Sequence, residues 1–351
     1  MSNNTKTVYV GLSGGVDSSV TATLLKQQGF DVVGVYMKNW TKSLPGFDCP
    51  WKDDFQDAKR VAVQLGIEFK VFDFEADYKH KVVDYMINEY KLGRTPNPDI
   101  MCNQEIKFKL FLETALEQGA DAVATGHYAK TKNGKLLKAK DDNKDQTYFL
   151  YRVTKEALEK TIFPLGDYLK PEVRDLAKKF GLATAQKKES MGICFVGKVG
   201  IKEFLSQYVQ TKPGSIIDQF GKNVGEHDGA IFYTIGQRQG LGIGGGLPYY
   251  VVGKDMDNNE VHVTSNLNDE RLWSDTLNLT DVHWIHSVPS KKDLQVRTRH
   301  RAPLVGGTIE NDDSHDQRFT IKLNQEMKAL TPGQSAVLYQ GDVVLGGGVL
   351  I

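Results

Sequence analysis

The sequence predicts a doubly wound α/β domain, a parallel sheet covered by helices, followed by two smaller β-rich domains. Over the first 200 residues, short β-rich runs alternate with helix-length segments, which is typical of a parallel sheet. From residue 212 onward, short alternating strands lie between Gly, Asp and Asn turns, which is typical of small all-β domains. The chain has 351 residues, enough for two or three domains with a core each. We place the domains at 1–205, 206–270 and 271–351.

The elements of the α/β domain follow one another with short connections. Predicted strands cover residues 7–12, 31–37, 67–74 and 121–125. Predicted helices cover residues 18–28, 53–65, 77–92, 105–118 and 171–180. In the second helix Val61 and Leu65 lie four residues apart on one face. Pro171 suits the first turn of the last helix.

The remaining elements are short strands and turns. Asn133-Gly134 between two alternating runs predicts a hairpin over 129–140. Further strands are predicted at 249–252, 261–263, 294–299, 319–323 and 336–339. Because side chains alternate along a strand, Arg297, Arg299 and Arg301 would share one face and form a basic stripe suited to phosphates. A second group of six basic residues lies between Lys170 and Lys188.

Composition excludes several classes of protein. Lys+Arg and Asp+Glu both number 44, which excludes a histone-like basic protein and an acidic-tail protein but not a local basic patch. No apolar run approaches the ~18 residues of a membrane helix, and the polar start lacks a signal peptide. Three cysteines exclude a disulfide framework. We therefore expect a cytoplasmic protein that does not bind a membrane.

A Gly/Ser-rich turn between the first strand and the first helix is a candidate phosphate-binding loop. Its residues are Gly11, Leu12, Ser13, Gly14, Gly15, Val16, Asp17 and Ser18. Glycines let backbone N–H groups face an anion, and the following helix adds its positive end. Asp17 is a candidate ligand for Mg²⁺. The loop lacks the Gly-Lys-Ser/Thr ending of the ordinary phosphate loop, and the Gly-x-Gly-x-x-Gly run at 240–245 lacks a strand-turn-helix context.

Two cysteines have flanking residues that favour chemistry over packing. Cys102 follows Pro96 and Pro98, and a helix predicted to begin just after it would favour the reactive thiolate. Asp99, three residues earlier, is placed to handle a proton. Cys194 lies in a loop-like segment, whereas we interpret Cys49 as a small buried hydrophobe. No CxxC, HExxH or Cys/His cluster is present, so we expect no zinc site.

Taken together, these motifs resemble the bacterial tRNA-specific 2-thiouridylases, members of the N-type ATP pyrophosphatases. The matching segments are GLSGGVDSS at 11–19, NPDIMCN at 97–103, ATGHYA at 124–129, KDQTYFL at 144–150, MGICF at 191–195, FYTIGQRQGLGIGGG at 232–246 and LGGGVL at 345–350. The resemblance implies an adenine nucleotide α-hydrolase-like sheet, a small central β-rich domain and a C-terminal β-barrel. It also implies adenylation of the wobble uridine of tRNA for Lys, Glu and Gln, with replacement of its O2 by sulfur.

The resemblance also implies partners and residue roles. The enzyme would use ATP and Mg²⁺, and tRNA would be its substrate. A cysteine desulfurase or a relay protein would donate persulfide sulfur. We expect the enzyme to be a monomer. Cys194 would carry the persulfide, Cys102 would be its nucleophilic partner in a transient disulfide, and Asp99 would be the acid/base. The remaining implied contacts are Asn97, Pro98 and Asp99 for the target base, Met37 and Gly126 for ATP, and His127, Lys144, Asp145, Gln146, Arg299, His300 and Gln340 for tRNA. The chain departs from the family at His300, where Tyr is common, and at Val344, where Cys is frequent.

Two other functions stay open from the residues alone. One is an ATP pyrophosphatase that adenylates a small molecule, which would need neither paired cysteines nor a basic β domain. The other is a non-catalytic RNA-binding protein with a vestigial nucleotide fold, against which Ser13, Asp17, Cys102 and Cys194 argue.

Overall fold

The structure, a computed structural model, describes residues 5–43, 49–188, 200–244, 246, 248–289, 293–313 and 318–351. Its strands in the first domain are β1 Thr7–Gly11, β2 Asp31–Lys38, β3 Glu68–Asp73, β4 Ala122–Ala124, β5 Lys130–Lys132, β6 Lys135–Leu137 and β7 Thr161–Ile162. The later strands are β8 Gly214–Ile217, β9 Asn223–His227, β10 Tyr250–Asp255, β11 Glu260–Thr264, β12 Trp273–Trp284, β13 Leu294–Arg297, β14 Val305–Asp313, β15 Arg318–Lys328, β16 Ser335–Gln340 and β17 Val343–Leu350.

The helices are concentrated in the first domain. The separate α-helices are Val16–Gln27, Trp51–Leu65, Lys155–Glu159, Lys170–Lys179 and Ile201–Leu205. Two longer helices each contain a π-helical segment. One is built from Glu75–Tyr78, Lys79–Asp84 and Tyr85–Lys91, and the other from Pro98–Met101, Cys102–Leu110 and Phe111–Glu117. Single 3₁₀ turns lie at Thr147–Phe149, Ala230–Phe232 and Glu270–Leu272.

The first domain is organised around a parallel five-stranded sheet in the order β3-β2-β1-β4-β7. Successive residues of β1 face opposite sides, with Val8 and Val10 in one buried cluster and Tyr9 in another. Because both faces are covered, the doubly wound α/β fold expected from the sequence is confirmed. The strand order reverses between β1 and β4, and in open α/β sheets ligands bind at such a point, beyond the carboxyl ends of the strands.

The later domains are β structures, as expected. β10, β11, β8 and β9 form a four-stranded sheet around Ile216, Val251 and Val261. β12, β15, β14, β13, β16 and β17 form an antiparallel barrel, which closes where β12 pairs with β17.

The predicted hairpin has a role that its sequence does not indicate. Its turn has Asn133 at φ 50° and Gly134 at φ 71°, as a tight two-residue hairpin turn requires. Its second strand pairs with β17, placing Leu136 opposite Val344. The first domain therefore extends the sheet of the C-terminal barrel.

The predicted stripe of three arginines is wrong. β13 ends at Arg297, and the chain bends before Arg299. Arg301 then has a positive φ of 64°, so the residues do not alternate along one strand. Within the described residues, no helix is long and apolar enough to cross a membrane.

Candidate nucleotide and thiol site

The loop after β1 leaves the first turn of the next helix open to an anion. Gly15 caps the helix Val16–Gln27 without a side-chain hydrogen bond, so the N–H groups of its first turn have no side-chain cap. Gly14 has a φ of 73°, and a Cβ there would lie 2.3 Å from the Asp54 carbonyl oxygen. Both conformation and space therefore require glycine at this position.

Two serines give the loop its shape. The Ser13 N–H donates to Ser18 Oγ at 3.2 Å, and the two hydroxyl oxygens lie 3.2 Å apart. Ser18 is buried and its hydroxyl donates to the Gly15 carbonyl oxygen, whereas Ser13 is exposed. The inner serine thus holds the turn while the outer serine faces the space above it.

The structure brings Met37 and Gly126 to this loop from the neighbouring strands. The Met37 Cε atom would lie 2.9 Å from a Cβ placed on Gly11. A Cβ on Gly126 would lie 2.8 Å from the Ser18 backbone nitrogen and 3.0 Å from the Asp17 carbonyl carbon. The backbone after β4 therefore packs directly on the first helical turn, which only glycine allows.

Asp17 is held by two residues that the sequence did not place in the site. Lys170 Nζ lies 2.7 Å from both carboxylate oxygens of Asp17, and the Tyr128 hydroxyl donates to Oδ1 at 3.0 Å. Lys170 is only 9% exposed. Mg²⁺ in nucleotide sites commonly takes one or two carboxylates together with substrate phosphates. Asp17 fits that requirement if Lys170 releases it, and the described residues contain no cluster of three or more metal-ligating side chains.

Cys102 lies inside a helix, not ahead of one. The helix begins at Pro98, with Asn97 as its cap accepting from the Asp99 N–H at 3.2 Å. The prediction that a helix begins just after Cys102 is therefore wrong. The helix begins at Pro98, four residues before Cys102, because Asn97 caps it there and Pro98 suits its first turn. Cys102 is buried and opens the π-helical segment Cys102–Leu110. Such segments are frequent at functional sites.

Burial shifts the pKa values of Asp99 and His127, and both groups also interact with Lys107. Burial raises the pKa of Asp99, partly opposed by Lys107. Burial also lowers the pKa of His127 well below its ordinary value, and Lys107 acts in the same direction. Asp99 is thus more readily protonated than an exposed carboxyl. Lys107 was not predicted as a site residue from the sequence, although its position five residues after Cys102 was an available signal.

Several expected tRNA contacts are partly or wholly internal. His127 is 9% exposed, and its Nδ1 lies 2.7 Å from the Thr125 hydroxyl. Asp145 is 1% exposed and accepts from the Ala139 N–H at 2.8 Å. Gln146 Oε1 accepts from the Tyr128 N–H at 2.9 Å. Because they are buried, the side chains of His127 and Asp145 have little surface to offer an RNA. Lys144 is half-buried and has more.

The C-terminal candidates lie close to the domain junctions. Arg299 donates to the Ala329 carbonyl oxygen at 2.9 Å and to the Thr331 hydroxyl at 3.0 Å. The His300 ring lies 4.7 Å from the Phe149 ring, and its burial lowers its pKa to about 4, so the ring is neutral at pH 7. Gln340 is exposed at the end of β16.

The two remaining cysteines differ in what can be described. Cys49 Sγ donates weakly to the Trp40 carbonyl oxygen at 3.7 Å, and burial raises the pKa of its thiol. Both facts disfavour a reactive thiolate. Cys194 lies at 189–199, outside the described residues, and so does its expected pairing with Cys102.

The fold and the loop define the class of this protein. It is one of the proteins in which a doubly wound α/β domain with a phosphate-type loop is joined to two β domains. Three family descriptions match the chain in the same order. They are the tRNA methyl transferase HUP domain at 6–198, the tRNA methyl transferase PRC-barrel domain at 202–265 and the aminomethyltransferase beta-barrel domain at 274–350.

Similar named proteins specify the family further. The tRNA-specific 2-thiouridylase MnmA of Limosilactobacillus reuteri is 47% identical over 365 residues, covering 100% of this chain and 97% of that protein. The protein of the same name from Listeria monocytogenes is 48% identical over 348 residues, covering 98% and 94%. The chain belongs to the tRNA-specific 2-thiouridylase family, and the resemblance seen in the sequence is confirmed.

Similarity to solved structures is weaker. A 4-thiouridine synthetase–RNA complex with bound ATP has a TM-score of 0.38 and 19% identity, covering 57% of this chain and 50% of that one. Similarity at this level adds nothing to the family assignment.

Proposed function

We propose that this protein is a tRNA-uridine 2-sulfurtransferase that uses ATP to thiolate the wobble uridine of tRNA for Lys, Glu and Gln. The observation that supports this most directly is the full-length identity to named 2-thiouridylases. The local geometry agrees with it, because one domain carries both an open phosphate-type loop and the buried side chain of Cys102. The oxygen at uracil C2 leaves poorly, so adenylation must precede its replacement by sulfur.

In the adenylation step, the loop residues would bind the phosphates of ATP. The first-turn N–H groups after Gly15 would face the phosphate oxygens, and Gly126 and Met37 would border the nucleotide. Asp17 would hold Mg²⁺, which neutralises charge on the phosphates as AMP is transferred and pyrophosphate leaves. Lys170, once released from Asp17, remains beside the loop as a second positive charge.

In the sulfur-transfer step, Cys194 would carry the donor sulfur as a persulfide. Its terminal sulfur forms a bond to uracil C2 and AMP departs with the former O2. The Cys102 thiolate then attacks the Cys194 Sγ, which breaks the persulfide S–S bond, leaves the terminal sulfur on C2 and forms a Cys102–Cys194 disulfide. A reductant must then reopen that disulfide. Asp99 is suited to accept the proton of a reacting thiol, because burial raises its pKa and it therefore binds a proton more readily than an exposed carboxyl does. Asn97 and Pro98, at the start of the same helix, would border the flipped base.

The proposal is tested by nucleoside mass spectrometry of tRNA after incubation with ATP, Mg²⁺ and a persulfide donor. We expect 2-thiouridine with the wild-type protein and with Cys49→Ser, and none with Cys102→Ser or Cys194→Ser, because a hydroxyl neither carries nor releases sulfur as a thiolate does. Loading with ³⁵S should distinguish the two inactive variants, since only Cys102→Ser retains the sulfur carrier. Wild-type turnover by Cys102→Ser would overturn the two-thiol mechanism. ATP consumption without any thiolated tRNA would favour a small-molecule substrate.

A further inference from the structure

A cavity of about 330 Å³ lies where the three domains meet. The first domain contributes Thr95, the central domain contributes Lys254, and the barrel contributes Pro332. The walls are joined by hydrogen bonds, since the Thr95 N–H donates to the Pro332 carbonyl oxygen at 2.8 Å and Gln334 Nε2 donates to the Thr95 carbonyl oxygen at 2.7 Å. The volume lies at the lower end of the range of about 300–1,000 Å³ for small-ligand pockets.

Lys254, on strand β10, is a buried cation without a partner. Its Nζ is shielded from solvent and has no hydrogen-bond partner among the described residues. Burial alone lowers the pKa of this lysine to about 8. Burying an ammonium group without compensation is costly, so a counter-charge at this place would be favourable.

The part of the cavity wall that the structure describes does not supply that counter-charge. Among the described residues of the wall, the charged ones are Lys254 and Arg271, and none carries a carboxylate. Arg271 is already paired with Asp269, with Nη2 and Oδ2 2.7 Å apart. Lys254 therefore keeps its charge uncompensated.

The Thr95 side chain provides a neutral hydrogen-bond donor in the same wall. The Thr95 and Thr234 hydroxyl oxygens lie 3.3 Å apart, and either can be the donor. When Thr234 donates to Thr95, the Thr95 hydroxyl hydrogen remains available to a ligand. Lys254 belongs to the wall, but its Nζ is shielded in this conformation, so a rotation of the side chain is needed before the wall offers an ammonium as well as a hydroxyl to an oxyanion.

We propose that this cavity binds a phosphate group, with Lys254 as its charged ligand and the Thr95 hydroxyl as a neutral donor. Because no hydrogen bond holds Lys254 Nζ, the flexible side chain turns toward an entering phosphate without losing a polar contact. Two sources share this chemistry, a backbone phosphate of RNA and a small free phosphate. Binding of an RNA backbone phosphate rests on the proposed function, whereas binding of a free phosphate does not. Thr95 lies two residues before Asn97, so a bound phosphate would also steady the approach to the base-binding loop.

The first arm of the test measures thermal unfolding with increasing inorganic phosphate at constant ionic strength. At about five times its Kd, phosphate should raise the melting temperature of the wild type by about 1–2 °C. The rise should persist in Lys222→Met, an exposed lysine of the same domain, and vanish in Lys254→Met. Since Lys254→Met removes a buried charge that has no partner among the described residues and keeps most of the side chain's apolar length, we expect it to fold.

The second arm measures tRNA affinity against salt concentration for the same three proteins. If a backbone phosphate is the ligand, Lys254→Met should lower the log–log salt slope by about one unit and Lys222→Met should not. If Lys254→Met loses the phosphate-dependent rise in melting temperature, the site is supported and binds free phosphate. If it loses about one unit of salt slope, the site is supported and binds a backbone phosphate of RNA. Lys254→Met matching the wild type in both arms overturns it. Failure of wild-type protein to bind tRNA would count against the proposed function, while the phosphate titration would still decide the site.

Discussion

Asp17 is the residue on which the proposed adenylation depends most directly. Its carboxylate is shared between Lys170 and the Tyr128 hydroxyl. This arrangement orients the carboxylate at the helix start before a cation arrives. An amide in its place would keep the shape but lose the charge that both Lys170 and Mg²⁺ require.

We expect Asp17→Asn to slow tRNA-dependent release of pyrophosphate by about 100-fold or more, the size of a lost charge contact in the transition state. Affinity for tRNA should change little. Pyrophosphate release and a filter-binding assay measure the two effects, with Asp53→Asn on the neighbouring helix as the control. A wild-type rate in Asp17→Asn would remove this residue from the site.

His127 links the site to the pH dependence of stability. Its pKa is lowered well below 6.5 by burial, so the unfolded chain takes up a proton near pH 6.5 while the folded chain does not. The stability contributed by the neutral ring is present above pH 6.5 and is lost as pH falls below it, by up to about 2 kcal/mol at pH 5.

We therefore expect His127→Gln, which keeps a polar group facing Thr125, to lose less stability than the wild type between pH 7.5 and pH 5. Urea unfolding at the two pH values measures the difference. His80→Gln, at a site whose side chain is 83% exposed, is the matched control. Equal pH dependence in the wild type and His127→Gln would contradict this prediction.

At the scale of elements, the helix that begins at Pro98 carries the thiol chemistry. Asn97 caps it, Pro98 occupies its first turn, and the π-helical segment starts at Cys102. The position of the thiol therefore depends on a cap whose residue is also the expected neighbour of the target base.

Substitutions at Asn97 can separate these two roles. Asn97→Ala should lower the free energy of unfolding by about 0.5–2 kcal/mol through loss of the cap, whereas Asn97→Ser should keep most of it. If the amide also contacts the base, both variants should show a higher KM for tRNA. Chemical denaturation and thiolation kinetics measure the two effects. A normal KM in Asn97→Ser would leave Asn97 with capping alone.

At the scale of the whole molecule, several side chains tie the three domains together. Arg299 reaches the Ala329 carbonyl oxygen and, at 3.4 Å, the Ile235 carbonyl oxygen of the central domain. The Tyr148 hydroxyl donates to the Ser335 carbonyl oxygen at 3.0 Å across the junction with the barrel. The β5–β6 hairpin adds its pairing with β17. An RNA bound across the domains would meet a surface held in one arrangement by these contacts.

We expect Arg299→Ala to lower the free energy of unfolding by about 1–3 kcal/mol, because charged hydrogen bonds to two domains are lost. If Arg299 also contacts a phosphate, the salt slope of tRNA binding should fall by up to about one unit. Urea unfolding and salt-dependent binding separate the two effects, with Arg318→Ala, on β15, as the control. Unchanged stability in Arg299→Ala would contradict the inter-domain role.

The sequence by itself determined the fold class, the phosphate-type loop and the family, because local features carry that information. Strand and helix periods, the Gly-Gly turn before Asp17 and the motif around Cys102 are all readable over a few residues. The turn at Asn133-Gly134 was predictable for the same reason, since its backbone conformation is set by the two residues themselves.

Only the tertiary structure decided which charges are already paired and which expected contacts are internal. Lys170 and Lys187 belong to the basic group at 170–188 in the sequence, yet in the structure they pair with Asp17 and Asp54 from distant elements. The sequence likewise could not show that Asp145 is buried or that Lys254 lacks a partner. Such facts depend on groups that are far apart in the chain, and burial and Coulombic pairing between them arise only when the domains pack together.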